Sequence, residues 1–259
     1  MMPLASWLDC CWRHTKPEGY GTVVSAAQKL DAHVWSRHKI KFLYCDDPWR
    51  FRDISTAEVM RTTRGASPEE SPDYPQLGTH ADPTCRALTS ENFYSLIGTR
   101  TDRPLPLLTM NTAALYDGFV EGMTIGALFH SRALWSDQPE RDCAGLSIEL
   151  SRPLDALCVP LPAVHLGTAW THKDRRGQGV MTDVSRLHRM VAWLRWPYPQ
   201  FATVVPKAGS EKVFGGTDIG AVIETRDGFS KETRVLYWSP DDIVSDAIAA
   251  HGIATPPTP

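Results

Sequence analysis

The sequence predicts an α/β fold, on three observations. A strand-like run at residues 164–171 passes through a polar, glycine-containing turn into an amphipathic helix at 179–196. An apolar run at 201–205 follows at once, so strand, helix and strand alternate. A second amphipathic stretch, 22–38, likewise leads into a β-rich run at 39–45.

Taken in order, the helix at 22–38 rests on Val23, Val24, Ala27, Leu30 and Val34, which recur at three- and four-residue steps. The run at 39–45 is stopped by Asp46-Asp47-Pro48, read as a turn holding a buried Trp49. Residues 62–84 carry four prolines and two glycines among small polar residues, too little apolar surface to pack, and form the best boundary in the chain. That boundary divides an extension, 1–85, of unassigned role from a domain at 86–250, with a disordered tail at 251–259. Thr89-Ser90-Glu91-Asn92 reads as a helix start, with Thr89 or Ser90 as cap and Phe93 to Ile97 as the helical run. Ala113 to Tyr116, Asp117-Gly118 and Met123 to Phe129 read as a hairpin. Residues 135–162 read as an irregular connection. The helix at 179–196 has one apolar stripe, Val180, Val184, Leu187, Val191 and Leu194. A short helix at 210–214 and two strands, 221–224 and 234–238, complete the pattern.

Composition narrows the function classes. With 27 basic and 30 acidic side chains the net charge is -3, so no global positive field points to nucleic acid or an anionic membrane. No run approaches the roughly 18 apolar residues of a membrane-spanning helix. The N-terminus lacks the basic start of a secretory signal, and Asp9 cuts its apolar run short. Six scattered cysteines without a CxxC pair read as reduced thiols of a cytoplasmic protein. Cys10, Cys11, His14, His33, His38 and Cys45 crowd the first 45 positions, but their spacings match no zinc pattern, and no metal is expected.

The turn between strand and helix carries the chemistry. The first turn of a helix leaves backbone N–H groups unpaired, and the macrodipole places partial positive charge there. Gly177 and Gly179 let an anion approach the backbone, Arg175 and Arg176 add charge, and Arg186, Arg189 and Lys207 are candidates to extend the patch. The residue types at this position therefore suit a phosphate group.

The segment Thr171-His172-Lys173-Asp174-Arg175-Arg176-Gly177-Gln178-Gly179-Val180-Met181 resembles the pyrophosphate-binding motif of the GNAT acyltransferase superfamily. In that family a strand ends in a stretch like V-H-P-D-Y, followed by Arg-Gly-Gln-Gly-hydrophobic-Gly. Here Arg176, Gly177, Gln178, Gly179 and Val180 match, and Met181 replaces the final glycine with a bulkier side chain. The resemblance spans roughly residues 88–238. It implies a mixed, mostly antiparallel sheet flanked by helices, with acetyl-CoA or another acyl-CoA as co-substrate. It further implies that backbone groups of Ala169, Trp170 and Thr171 meet pantetheine, and that backbone N–H groups from Arg176 to Met181 hold the pyrophosphate. The implied reaction moves an acyl group, expected to be acetyl, from coenzyme A to a primary amine.

The amine attacks only when neutral, so its proton needs a route out. Family members place a glutamate about six residues before the turn; His165 holds that position here, with Glu149 and Asp174 as weaker substitutes. The family's acid tyrosine is replaced by Phe214, which has no proton to give, leaving Tyr237 or Ser210 as substitutes. Two other functions stay open. One is a related enzyme acting on a nucleobase or tRNA, which the acidic balance disfavours. The other is a catalytically silent acyl-CoA-binding module. A third, the adenine methyltransferase loop faintly matched by Asp46-Asp47-Pro48-Trp49, lacks a glycine-rich cofactor loop. Acceptor identity and oligomeric state have no local signature.

Overall fold

The computed structural model describes residues 1–10, 17–63, 81, 83–84, 87–116, 148–150, 162–204, 214–218, 221–225 and 230–251. Its helices are α1 (Leu4–Cys10), α2 (Tyr20–His38), α3 (Pro48–Thr63), α4 (Val180–Arg195) and α5 (Pro240–His251). Its strands are β1 (Met2–Pro3), β2 (Lys41–Cys45), β3 (Phe93–Thr99), β4 (Thr109–Tyr116), β5 (Ile148–Leu150), β6 (Ala163–Thr171), β7 (Gln200–Val204), β8 (Thr217–Asp218), β9 (Ala221–Thr225) and β10 (Ser230–Trp238). They join in one mixed sheet in the order β1-β2-β3-β4-β6-β7-β10-β9-β5, with β8 beside β10. Among the described pairs only β6 and β7 run parallel. The chain is thus α/β with a mostly antiparallel mixed sheet and helices against it.

Helices α2, α4 and α5 cover one face. Leu30 and Val34 of α2, Leu187 and Val191 of α4, and Ile243 and Ala247 of α5 share a core with Phe42, Tyr44, Tyr94 and Leu96 of the sheet. The other face of β2 and β3 is covered by α3, where Phe51 and Ile54 meet Leu43, Cys45, Phe93 and Ile97. The described residues of 1–63 therefore share one sheet and its two cores with the segment after residue 87, and do not form an extension beside it.

This double burial corrects the helix expected at Phe93 to Ile97. All seven residues of β3 are buried, because their alternating side chains enter two different cores. A strand covered on both sides reads as a continuous apolar run, which periodicity cannot tell from a buried helix. The Thr89 hydroxyl does accept a backbone N–H, from Glu91 at 3.2 Å, but it closes a turn that leads into a strand.

Asp46-Asp47-Pro48 likewise starts a helix as well as ending a strand. The N–H groups of Trp49 and Arg50 each donate to Asp47 Oδ1 at 3.0 Å, and Pro48 takes the first helical position, where a missing N–H costs nothing. Trp49 is 52% exposed, contrary to the buried turn tryptophan expected. Within the connection read as irregular, Ile148–Leu150 forms β5 and pairs with β9. The Asp117-Gly118 hairpin with its return strand, most of the 62–84 loop, the helix at 210–214 apart from Phe214, and the tail after residue 251 lie outside the described residues.

The feature that positions a site is the joint between β6 and β7. Among the described residues they pair only at Val164 with Gln200 and His165 with Phe201; beyond these, β6 runs six residues to Thr171 with no described β7 partner. On its other edge β6 stays paired to β4 through a bulge: Thr112 faces Gly167, Met110 faces Trp170, and Asn111 alone opposes Thr168 and Ala169. A bulge sharpens the local twist and re-aims side chains, here beside the gap between the parting strands.

Candidate functional site

From β6 the chain enters a 3-10 turn at Lys173–Arg175 and then α4. Gly177 and Gly179 have φ of 74° and 78°, left-handed values that glycine takes without a Cβ penalty. Gly179 is the helix cap and, as a glycine, makes no side-chain hydrogen bond to the first turn of α4. A Cβ built on Gly177 meets nothing within 4 Å; one on Gly179 has Arg37 Nη2 at 3.6 Å as its nearest neighbour. The turn thus presents open backbone at the positive end of a 16-residue helix.

Several side chains brace it. Arg176 Nε donates to the Thr171 carbonyl at 3.0 Å, and Gln178 Nε2 to the Asp174 carbonyl at 2.8 Å, so both hold the turn closed. His172 Nδ1 accepts the Asp174 N–H at 3.3 Å. Val180 is buried in the main core, while Met181 is half-buried. On β6, Thr109 Oγ1 donates to the Trp170 carbonyl at 2.7 Å, and Thr171 is buried against Thr109.

Arg37, from the last turn of α2, was not found from sequence. It is 55% exposed, lies over Gly179, and pairs with Asp183 in the first turn of α4 at 3.5 Å. His38 and His33 approach the same Asp183 oxygen at 3.0 and 3.8 Å. This cluster ties α2 to the start of α4 and places one cation beside the open glycine. By contrast, Arg186 and Arg189 do not extend the patch. They turn toward α5, where both bind Asp246 at 2.8 and 3.1 Å. Burial pushes the Asp246 carboxyl up, but the hydrogen bonds and charges of Arg186 and Arg189 outweigh it and hold the group below its usual range. Lys207 and Ser210 lie outside the described residues.

Between α4 and the parting strands lies a cavity of about 200 Å³. Leu166, Gly167 and Ala169 of β6, Ala202 of β7, Trp238 of β10 and Phe214 form its apolar wall. Asn111, Ser185, His188 and Arg189 form its polar one, each at least nine-tenths buried. Asn111 Nδ2, Ser185 Oγ, His188 Nε2 and Arg189 Nε have no hydrogen-bond partner among the described residues. Burial, with the neighbouring Arg189 charge, pushes His188 down to about 3, so its imidazole is neutral at ordinary pH. None of these four cavity roles was read from the sequence, because bulge geometry and helix packing bring the residues together.

The two expected proton carriers lie on the other face of the sheet. His165, Phe201 and Tyr237 stand directly opposite one another on β6, β7 and β10, and so point the same way. His165 is buried, its ring 4.9 Å from Phe201 and 6.3 Å, edge-on, from Tyr116. Tyr237 is half-buried; burial and the Asp242 charge raise its phenol above the usual value. Phe201 stands between the two, and neither lines the cavity. Glu149 lies on the far edge strand β5, opposite Glu224, and Asp174 is exposed in the 3-10 turn.

A larger cavity, about 520 Å³, opens between α1, α2 and β2, lined by Leu8, Asp9, Asp31, Trp35 and Phe42 among others. No residue of the turn borders it. Among the described residues no cluster of histidine, cysteine or carboxylate side chains is arranged to hold a metal, and no helix is long and apolar enough to cross a membrane. No family model matches the chain, and no curated protein matches it either.

Proposed function

We propose that the protein is an N-acyltransferase of the GNAT type, moving an acyl group from coenzyme A to a primary amine. The observation that carries this reading is the joint itself. A glycine-capped helix start with two left-handed glycines opens at the mouth of a gap between two parallel strands, and a cavity lies along that gap. Phosphates of the cofactor bind the first-turn N–H groups of α4, with Arg37 and Arg175 beside them. The pantetheine arm runs down the unpaired edge of β6. The cavity begins at Ser185, and Arg189 is the furthest helix residue along it, so it lies roughly 8–14 Å from the helix start at 1.5 Å per residue, within reach of such an arm.

In the reaction the amine nitrogen attacks the thioester carbonyl carbon, the C–N bond forms and the C–S bond breaks. The nitrogen's proton passes by way of water to His165, which lies on the other face of the sheet from the cavity, and coenzyme A departs as its thiolate. A second reading, an acyl-CoA-binding module without turnover, draws on Phe214, which lines the cavity without a proton to give.

The test is the thermal midpoint with and without acetyl-CoA, in the wild type and in an Arg176→Glu, Gly179→Trp double variant. A shift in the wild type that vanishes in the variant supports a cofactor on this turn. No shift at millimolar acetyl-CoA, and none with free coenzyme A, sinks the reading. Release of free thiol with a panel of amines then separates enzyme from silent module.

A further inference from the structure

The cavity beside α4 holds more hydrogen-bonding capacity than an acetyl group can use. Three of its partnerless atoms, Asn111 Nδ2, Ser185 Oγ and Arg189 Nε, carry a hydrogen to donate, and the neutral His188 ring supplies a fourth polar edge. A buried donor left without an acceptor is costly, so three such donors without a partner among the described residues imply a bound group rich in acceptor oxygens. An acetyl head offers one oxygen. It also leaves most of the space empty, since about 200 Å³ is roughly seven times the share of liquid volume of one water.

Charge points the same way. Arg189 on the wall and Arg186 behind it share the carboxylate of Asp246, two guanidinium groups to one carboxylate among the described residues. Neutral His188 adds no charge. Arg189 is anchored for the task, with Nη1 on the Phe214 carbonyl at 2.7 Å, Nη2 on Asp246 and its guanidinium 5.1 Å from the Trp238 ring. Its Nε has no partner among the described residues and is left to meet a ligand.

Resting on the acyl-transfer reading above, we propose that the transferred group is a short acyl chain ending in a carboxylate, of the succinyl kind, in place of acetyl. Its distal carboxylate accepts from Asn111, Ser185 and Arg189, while its methylenes lie against Leu166, Ala202 and Trp238. The bonds made and broken are those of any acyl transfer: C–N forms, C–S breaks, and the distal carboxylate passes through unchanged.

The test is calorimetric titration of the full chain with free coenzyme A, acetyl-CoA, butyryl-CoA and succinyl-CoA. Butyryl matches the succinyl chain without its carboxylate. The wild type is expected to bind succinyl-CoA at least tenfold tighter than butyryl-CoA, the range for a hydrogen bond to a charged group. Asn111→Leu should reduce that ratio about tenfold and Ser185→Ala less; a ratio within one preparation is insensitive to partial misfolding. Equal affinity for the three acyl forms, or a ratio unmoved by Asn111→Leu, overturns the inference while leaving cofactor binding intact. Failure of free coenzyme A and all its thioesters to bind removes the acyl-transfer reading, and this inference with it.

Discussion

Replacing Gly177 by alanine and by asparagine separates backbone strain from occupancy of the turn. Its φ of 74° lies in the left-handed region, where a Cβ costs an ordinary residue roughly 1–2 kcal/mol and asparagine less. A Cβ there meets no protein atom within 4 Å, so strain is the whole penalty without ligand. At about 2–4 °C per kcal/mol for a chain of this size, Gly177→Ala should lower the midpoint by roughly 2–8 °C, and Gly177→Asn by less. The ligand response separates differently. Coenzyme A at 100 times its dissociation constant adds about 2.7 kcal/mol to the native state; a tenfold weaker complex at the same concentration adds only about 1.4. Both variants put a side chain where the phosphates approach, so both should lose about half of the ligand-induced shift or more. A scanning-fluorimetry series across coenzyme A concentrations reads both effects. If Gly177→Asn keeps the wild-type shift, the phosphates do not lie over this glycine and the reasoning fails.

Two further predictions concern charges in and away from the site. Asp246→Asn removes the shared partner of Arg186 and of the buried Arg189, so chemical denaturation should show a loss of about 3–5 kcal/mol; a loss below 1 would mean that Arg189 finds its balance elsewhere. Burial raises Asp31 to about 6 from an ordinary 3.8, so the folded state holds its proton longer than the unfolded chain, and stability declines as pH climbs from about 4 to 6. His188 acts in the opposite sense. Lowered to about 3 from 6.5, it stays neutral in the fold, and its contribution is lost as pH falls below 6.5. The two slopes oppose each other between pH 4 and 6. Asp31→Asn should therefore expose a steeper acid loss and gain up to about 3 kcal/mol at pH 7, measured as midpoint against pH; a profile parallel to the wild type would refute the assignment.

What the sequence made legible were elements with one apolar face. The stripe from Val180 to Leu194 and the glycines before it located β6, the turn and α4 within a residue or two. Strand β3, with both faces covered, lacked that contrast and read as a helix. The start of α5 did have a local signature that went unread: Ser239 and Asp242 cap each other, the Asp242 N–H on Ser239 Oγ at 3.2 Å and the Ser239 N–H on Asp242 Oδ2 at 2.8 Å. The cavity had none. Asn111 is set by a bulge, Arg37 reaches the turn from a helix more than 140 residues earlier, and Arg189 was assigned to a phosphate patch because nothing local announces Asp246.

The disposition of the two faces also decides which proton problem matters in the proposed reaction. Tyr237 points away from the cavity, as His165 does, so in the proposed reaction it is not placed to give a proton directly to a thiolate held there. That loss is tolerable. A thiol titrates near 8.5, so its thiolate is a good leaving group near neutrality. An alkyl amine titrates near 10.4 and must shed a proton before or during attack. The demand therefore falls on a base rather than an acid, and on the face where His165 lies. If the proposed reaction holds, Phe214 and His165 are compatible with each other: a proton acceptor is present for the amine, by way of water, and a thiolate does not require the donor that Phe214 lacks.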